Sequence, residues 1–494
     1  MTALPFAHAT RATLALAALS ALGACTALAP NDKFDAPTSA RFLEPPPGWM
    51  AAAPADTLTR GPWWTLFNDP VLNQLAPQVA VSNQTVAADA AAVEESWAAV
   101  REQQAAFFPT VTLDAGVTRS GVGGKSGAGV ATTSGGTSVV TTSKTSNRTT
   151  RYSASLGASW APDLWGSVAN SVSAAKSTAQ ASEADLANAT LSAQTTFVTD
   201  YLSVREADAE IAILQTTIVA YERSLKITQN RYAAAIAAKS DVLQAQTTLA
   251  NARSSLAALV QQRKQLFHAM AVLAGQAPAN FALPSGDWNS TSVPAIPPSV
   301  PSELLQRRPD IAAAERRVAA ANAQIGVARA AYFPSLTLSG SAGPSSSSLG
   351  NLFNASSFAW SLGASLAETI FDGGARTARV DEARASWKEA VATYRQTVLT
   401  AFQGVEDQLS NAGSLEEQQT QLRESSAAAD QTEQIMQNQY QQGLVAYTDV
   451  VTAEASALTA RRSLMQISLN RQTAALQMIA ELGGGWSTQQ LATK

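Results

Sequence analysis

Asn230-Arg231-Tyr232-Ala233-Ala234-Ala235-Ile236-Ala237-Ala238-Lys239-Ser240-Asp241-Val242 has a counterpart later in the chain: Asn438-Gln439-Tyr440-Gln441-Gln442-Gly443-Leu444-Val445-Ala446-Tyr447-Thr448-Asp449-Val450. The two stretches lie 208 positions apart, and the offset still holds at Ala245/Ala453, Arg253/Arg461 and Leu256/Leu464. A long Ala- and Gln-rich helical stretch runs into each copy and another runs out, so each copy reads as the tight turn of a long helical hairpin. Gly443 supplies the backbone freedom such a turn needs. Ser240 and Thr448 stand where an N-cap is expected. Asp241 and Asp449 follow in the first turn of the returning helix, where the helix dipole favours a carboxylate.

Outward from the first turn, residues 167–234 contain neither Pro nor Gly and predict one helix of about 100 Å. It carries two apolar seams. Val198, Leu202, Ala209, Ile213 and Ala220 form one; Tyr201, Val204, Ile211, Leu214, Ile218, Tyr221 and Leu225 form the other. A two-stranded coil needs one seam, so two imply a neighbour on each side, as in a wall or tube of helices. The returning helix is expected from Asp241 to about Ala274. A second long helix, from 375 to about 441, leads to the second turn and is interrupted in its pattern only by Gly404 and Gly413.

Before each long helix the period changes from helix to strand. Residues 71–107 read as helical up to Phe107-Phe108-Pro109. Val111, Leu113, Ala115 and Val117 then alternate with Thr112, Asp114, Gly116 and Thr118. Residues 119–150, nearly devoid of apolar anchors, read as a long loop, and alternation returns over Tyr152 to Trp160. The second half repeats this plan. Tyr332-Phe333-Pro334 matches Phe107-Phe108-Pro109, a Ser/Gly loop occupies 343–357, and Ser361-Leu362-Gly363-Ala364-Ser365 reproduces Ser155-Leu156-Gly157-Ala158-Ser159. The chain is a tandem duplication of helix, strand, loop, strand, long helix, turn and helix. Four strands of about nine or ten residues, apolar on one face and Ser/Thr/Gly on the other, have the length and alternation of a membrane barrel with a wet lumen; a soluble half-buried sheet would also alternate, and the long polar loops and the lipoprotein-like leader favour the membrane. Four strands cannot close, and open edges do not survive in lipid, so copies must pool their strands.

The leader has its own logic. Arg11 precedes an apolar run from Ala12 to Leu22, too short to span a bilayer and of the length of a signal-peptide core. It ends in Leu22-Gly23-Ala24-Cys25, which resembles the bacterial lipoprotein box, and Cys25 is the chain's single cysteine. Acyl chains on Cys25 would hold the protein on a membrane. One Cys and two His remove a disulfide framework and a zinc or copper cage; His268 stands alone on a helix, as a structural residue would. A net charge of −4 gives no sign of nucleic acid. No nucleophile–base constellation points to an enzyme. Gly121-Val122-Gly123-Gly124-Lys125-Ser126 ends like a phosphate loop, but with strands on both sides and no helix after it that likeness is coincidental.

Arg307-Arg308-Pro309-Asp310-Ile311 through Ala314-Glu315-Arg316-Arg317 to Tyr332-Phe333-Pro334-Ser335-Leu336, with Trp64-Thr65-Leu66-Phe67-Asn68-Asp69-Pro70, Asp163-Leu164-Trp165-Gly166, Phe371-Asp372-Gly373-Gly374 and Leu482-Gly483-Gly484-Gly485-Trp486, resembles the TolC/NodT family of outer-membrane efflux lipoproteins. The likeness covers essentially the whole chain after the leader. It implies an α+β membrane protein: a homotrimer with a twelve-stranded outer-membrane β-barrel, continued by a periplasmic α-helical barrel.

The expected organisation is a lipoprotein signal peptide over 1–24 and a lipid-anchored tether over 25–60. A first repeat follows over 61–275, with strands about 110–118 and 151–160 and a turn about 235–240. An equatorial linker covers 276–308. The second repeat covers 309–482, with strands about 335–342 and 358–366 and a turn about 442–448, and an equatorial tail covers 483–494.

The resemblance implies a passive exit duct for drugs or other small toxic compounds. A periplasmic adaptor and an inner-membrane transporter of the resistance-nodulation-division type would deliver the cargo. No cofactor is implied beyond covalent lipid, diacylglycerol and palmitate, on Cys25, and contact with outer-membrane lipid. Asp241 and Asp449 would form a periplasmic gate ring of six carboxylates favouring cations, and Ala235, Ile236, Gly443 and Leu444 would dock the adaptor. The chain departs from the family pattern at Thr452, where some relatives carry a second acid, and at Ala235, where glycine is usual. A type I secretion duct and a poreless coiled-coil lipoprotein are the alternatives.

Overall fold

The computed structural model describes residues 62–121, 148–284 and 308–484, with positions 29, 37, 286, 288, 293 and 294. Cys25, the tether, the core of the 119–150 loop with its phosphate-loop look-alike, most of the linker and the tail beyond 484 lie outside the described residues. After a 3-10 turn at Trp63–Phe67 the helices are α1 (Pro70–Ser82), α2 (Gln84–Ala105), α3 (Ser167–Ala233), α4 (Lys239–Leu273), α5 (Pro309–Ala330), α6 (Ala375–Gln441) and α7 (Tyr447–Glu481). The strands are β1 (Thr110–Gly121) and β2 (Arg148–Trp160) between α2 and α3, and β3 (Ser335–Ser346) and β4 (Phe358–Ala367) between α5 and α6. The chain divides into two compact units. One is built on Ala98–Ala175 with Ala321–Trp387, the other on Lys176–Ala320 with Lys388–Lys494 and Asp32–Trp97.

The first unit holds one antiparallel sheet in the order β1-β2-β3-β4. Its register decides its chemistry. Leu113 pairs with Leu156, Leu156 with Ala342, and Ala342 with Trp360. Thr112 pairs with Gly157, Gly157 with Ser341, and Ser341 with Ser361. Alternation along each strand therefore becomes one continuous apolar face and one Ser/Thr/Gly-rich face that also carries Asp114 and Arg151. Every residue of β1 and β4 is exposed, so among the described residues nothing covers the outer strands and both edges are open. The strands run longer than the alternation predicts, to Gly121, back to Arg148 and on to Ser346, because their Ser/Thr/Gly ends carry no apolar signal. The loop expected over 343–357 is correspondingly shorter and contains two 3-10 turns, Leu349–Asn351 and Ala355–Ser357. Gly343 is required where β3 meets β2: a Cβ there would lie 2.1 Å from the Ala154 carbonyl oxygen.

The repeated motifs around the sheet are strand-to-helix corners. The Asp163 carboxylate accepts the Ala169 N–H at 2.7 Å. Asp372 accepts those of Gly374 and Arg376 at 2.9 and 3.1 Å, and these bonds hold its carboxyl below the usual range. Trp165 Nε1 donates to the Pro334 carbonyl at 2.7 Å while its ring stacks on Phe333. The aromatic-Phe-Pro motif of one repeat is thus met by the Asp-Leu-Trp-Gly motif of the other.

The second unit is helical. Its largest apolar cluster joins Trp63, Phe67, Leu72, Phe197, Tyr201, Leu202, Met270 and Leu476, each large side chain contributing about 1.5–3 kcal/mol when fully buried. Asp69 ties it together. Oδ1 accepts the N–H groups of Val71 and Leu72 at 2.8 and 3.1 Å, capping α1, and Oδ2 accepts the Tyr201 hydroxyl at 2.5 Å. Burial and this bond push the Tyr201 hydroxyl upward. Of the two seams on α3, the one through Tyr201, Val204, Leu214, Ile218 and Tyr221 is buried. The other opens beyond Leu202, with Ile213 half-buried and Ala220 exposed.

Three expectations need correction. The helix read over 71–107 is broken at Asn83, whose backbone is extended. Its Oδ1 accepts the Thr85 and Val86 N–H groups at 2.8 and 3.2 Å and its Nδ2 donates to the Leu273 carbonyl at 3.0 Å, so one side chain caps α2 and anchors the break. Helix α6 passes through Gly404 and Gly413 without interruption. The returning helices start at Lys239 and Tyr447, so the cap positions are Ala238 and Ala446, not Ser240 and Thr448.

Candidate functional site

Both hairpin turns are built alike. In the first, the Ile236 N–H donates to the Arg231 carbonyl at 2.8 Å and the Ala235 N–H to the Tyr232 carbonyl at 2.9 Å. In the second, Leu444 donates to Gln439 at 2.9 Å and Gly443 to Tyr440 at 3.0 Å. Each is a Schellman ending, which satisfies the last helical carbonyls and places one residue in the left-handed region. That residue is Gly443, φ 80°, in the second turn and Ala235, φ 55°, in the first. Alanine pays a steric cost there that glycine does not. Ile236 and Leu444 project from the two turns, 67% and 69% exposed.

The carboxylates begin the returning helices differently. Asp449 reaches back and accepts the Ala446 N–H at 3.1 Å, which explains why a residue without a side-chain acceptor can stand at the cap. Asp241 instead accepts the Ser240 hydroxyl at 3.3 Å. Asp449 is exposed and Asp241 half-exposed. Each lies in the first turn of its helix, beside the exposed Ile236 or Leu444 turn. His268, by contrast, lies exposed on α4 beside Phe267.

The hairpins are joined to each other by residues that pattern reading passes over. Arg231 of α3 donates to the Tyr440 carbonyl at 2.9 Å, its guanidinium lying 4.5 Å from the centre of the Tyr440 ring. The Tyr447 hydroxyl lies 3.0 Å from Ser224 Oγ, and the Tyr440 and Tyr447 rings meet at 5.3 Å. Val450, Val451 and Ala245 complete this cluster. Burial pushes the Tyr447 hydroxyl upward. Further along, Arg253 pairs with Glu222 at 2.7 Å and Arg461 with Asp430 at 2.8 Å, the same ion pair in both repeats. The signal for the joining residues was available as departures from the repeat: Arg231 matches Gln439 and Lys239 matches Tyr447.

Comparison with known proteins supplies the context for these turns. The family model described as outer membrane efflux protein matches residues 75–276 and 300–484. A similar relative is the pyoverdine export outer membrane protein OpmQ of Pseudomonas aeruginosa, 30% identical over 96% of this chain and 99% of its own length. Another is the cation efflux system protein CusC of Escherichia coli, 29% identical over 87% of this chain and 90% of its own. Among solved structures, the open state of the Neisseria gonorrhoeae MtrE outer membrane channel aligns with a TM-score of 0.80 at 26% identity, covering 94% of this chain and 99% of that one. A crystal structure of a membrane protein from Pseudomonas aeruginosa aligns with a TM-score of 0.81 at 28% identity, covering 92% of this chain and 100% of that one.

Proposed function

Because this chain belongs to the outer membrane efflux protein family, we propose that three copies pool their strands into a twelve-stranded barrel and continue as a tube of helices through the periplasm. The protein is an outer-membrane efflux channel and not an enzyme. The observation that supports the pooled barrel is the sheet: one continuous apolar face, one Ser/Thr/Gly face and two open edges, on four strands where closure in a bacterial barrel takes at least about eight.

The channel works as a passive duct. A periplasmic adaptor and an inner-membrane transporter of the resistance-nodulation-division type load it with drugs or other small toxic compounds; its relatives include pyoverdine, toluene and cation exporters. Ile236 and Leu444, with Ala235 and Gly443 setting their turns, form the adaptor seat. Asp241 and Asp449 contribute six carboxylates to a ring that favours cations at the periplasmic entrance. Cys25, carrying diacylglycerol and palmitate, ties the chain to the membrane.

The test is photo-crosslinking in cells from a reactive residue placed at Leu444, with captured proteins identified by mass spectrometry. Capture of a periplasmic adaptor is the expected result. Capture of a secretion adaptor would move the reading to a type I duct, and self-crosslinks alone from correctly localised protein would count against a docking tip.

A further inference from the structure

Glu454 has no acidic counterpart in the first hairpin, where the repeat carries the exposed Gln246. On α7 it is 4% exposed. Its Oε1 accepts Gln437 Nε2 at 3.3 Å, and its Oε2 is buried with no hydrogen-bond partner among the described residues. Three elements surround it with ionisable groups. Buried Tyr221 faces it from α3, Glu433 comes from α6 beside Gln437, and α7 itself adds Tyr447, with Arg461 reaching the cluster through Glu433. The cation is already engaged: Arg461 donates to Asp430 at 2.8 Å and to Glu433 at 2.7 Å. Glu454 therefore sits among α3, α6 and α7 with a second carboxylate nearby and, among the described residues, no counter-ion of its own. Burial pushes its carboxyl up to about 7; the Gln437 amide pulls the other way and the Glu433 charge adds to the rise.

We propose that Glu454 is a proton-controlled latch between the two hairpins: with a neutral carboxyl the α3–α7 contact stays closed, and with an ionised one it loosens. Ionisation would leave a poorly compensated anion in a buried seam, and the simplest relief is to bring the carboxylate to solvent by moving α7 away from α3. The direction follows from linkage. The closed seam holds a proton that the opened, solvated seam gives up, so closure is strongest below the ordinary glutamate range. It weakens as pH rises to about 7 and changes no further above it. Between those limits the open-to-closed ratio rises by at most on the order of a hundredfold, at tenfold per pK unit. Its consequence for permeation rests on the efflux-channel reading; the latch itself does not.

Hydrogen exchange on full-length protein, read over peptides 215–228 and 447–460 at pH 5 and pH 8 and scaled for intrinsic rates, tests the latch directly. Wild type is expected to lose protection at pH 8, and Glu454→Gln to keep the same protection at both. Gln437→Lys, which brings a cation to the ionised carboxyl, is expected to hold the contact closed at pH 8 and serves if Glu454→Gln fails to fold. Asp200 and Glu206 on α3, pushed up by burial to about 6 and about 7, remain in every variant. A pH response that survives Glu454→Gln therefore belongs to them and overturns the proposal, as does wild-type protection that ignores pH. In planar bilayers, open probability is expected to rise with pH in wild type and stay flat in Glu454→Gln. If no variant conducts, the channel reading fails while the exchange data still decide the latch.

Discussion

At the end of the first hairpin Tyr232 and Lys239 stand in solvent; at the matching positions of the second, Tyr440 and Tyr447 are buried against Val450 and Ala245. The backbone endings are the same Schellman geometry, down to the 208-residue register. The duplication thus preserved the turn and reassigned the side chains. The second hairpin supplies most of an apolar tip cluster, and the first is fastened to it through Ala245, Arg231 and Ser224. The two turns also differ in backbone comfort, since the fastened one keeps alanine where its twin has glycine.

Substitutions at matched positions can break this contrast. Tyr447→Ala removes a ring that touches Tyr440 and Ser224, and is expected to destabilise the tip by about 3–5 kcal/mol. Lys239→Ala at the twin site should stay within about 0.5 kcal/mol. Hydrogen-exchange protection of residues 436–451 reads both, and equal effects would erase the asymmetry. Arg231→Ala loses a charged hydrogen bond to the Tyr440 carbonyl, an expected cost of about 1.5–3 kcal/mol, while Gln439→Ala changes little. Protection of the α3–α4 turn should fall in the first variant only.

Ala235→Gly should stabilise the first turn by about 1 kcal/mol by relieving the left-handed alanine, and Gly443→Ala should destabilise the second by a similar amount. Opposite shifts in denaturant-dependent exchange at the two turns are the signature. The smallest effect is expected at the shared ion pair. Arg253→Ala breaks an exposed contact with Glu222 and should cost less than about 1 kcal/mol, whereas Arg461→Ala also releases Glu433 and should cost more. A double-mutant cycle on each pair would measure the difference.

Much of this architecture was legible because long periodic segments dominate it. The 3.6-residue pattern of 167–234, the alternation from Val111 and the repeated Ser-Leu-Gly-Ala-Ser segments each reflect a face that must meet a different medium. What escaped was decided by single polar side chains. Asn83 breaks a run of good helix formers because its amide satisfies both the new helix and the Leu273 carbonyl, 190 residues away. Ser240 and Thr448 look like caps, but the carboxylate of Asp449 satisfies the Ala446 N–H from inside the helix. In the candidate site, Asp241, Asp449, Ile236 and Leu444 could be picked from the turn pattern alone. Arg231, Ser224, Tyr447 and Glu454 matter through partners more than 200 residues away or on other helices, which local periodicity does not encode.

The uncovered sheet bears on how the molecule is made. Among the described residues, a lone chain has four strands with two unpaired edges and an apolar face suited to lipid, so on the twelve-strand reading no single copy can finish entering a bilayer. Until all three meet, each would keep its strands with a chaperone or exposed to aggregation. Insertion and trimerisation would then be one event, its rate rising steeply with chain concentration. A substitution on an edge strand would lower the amount of channel made without changing what a finished channel conducts.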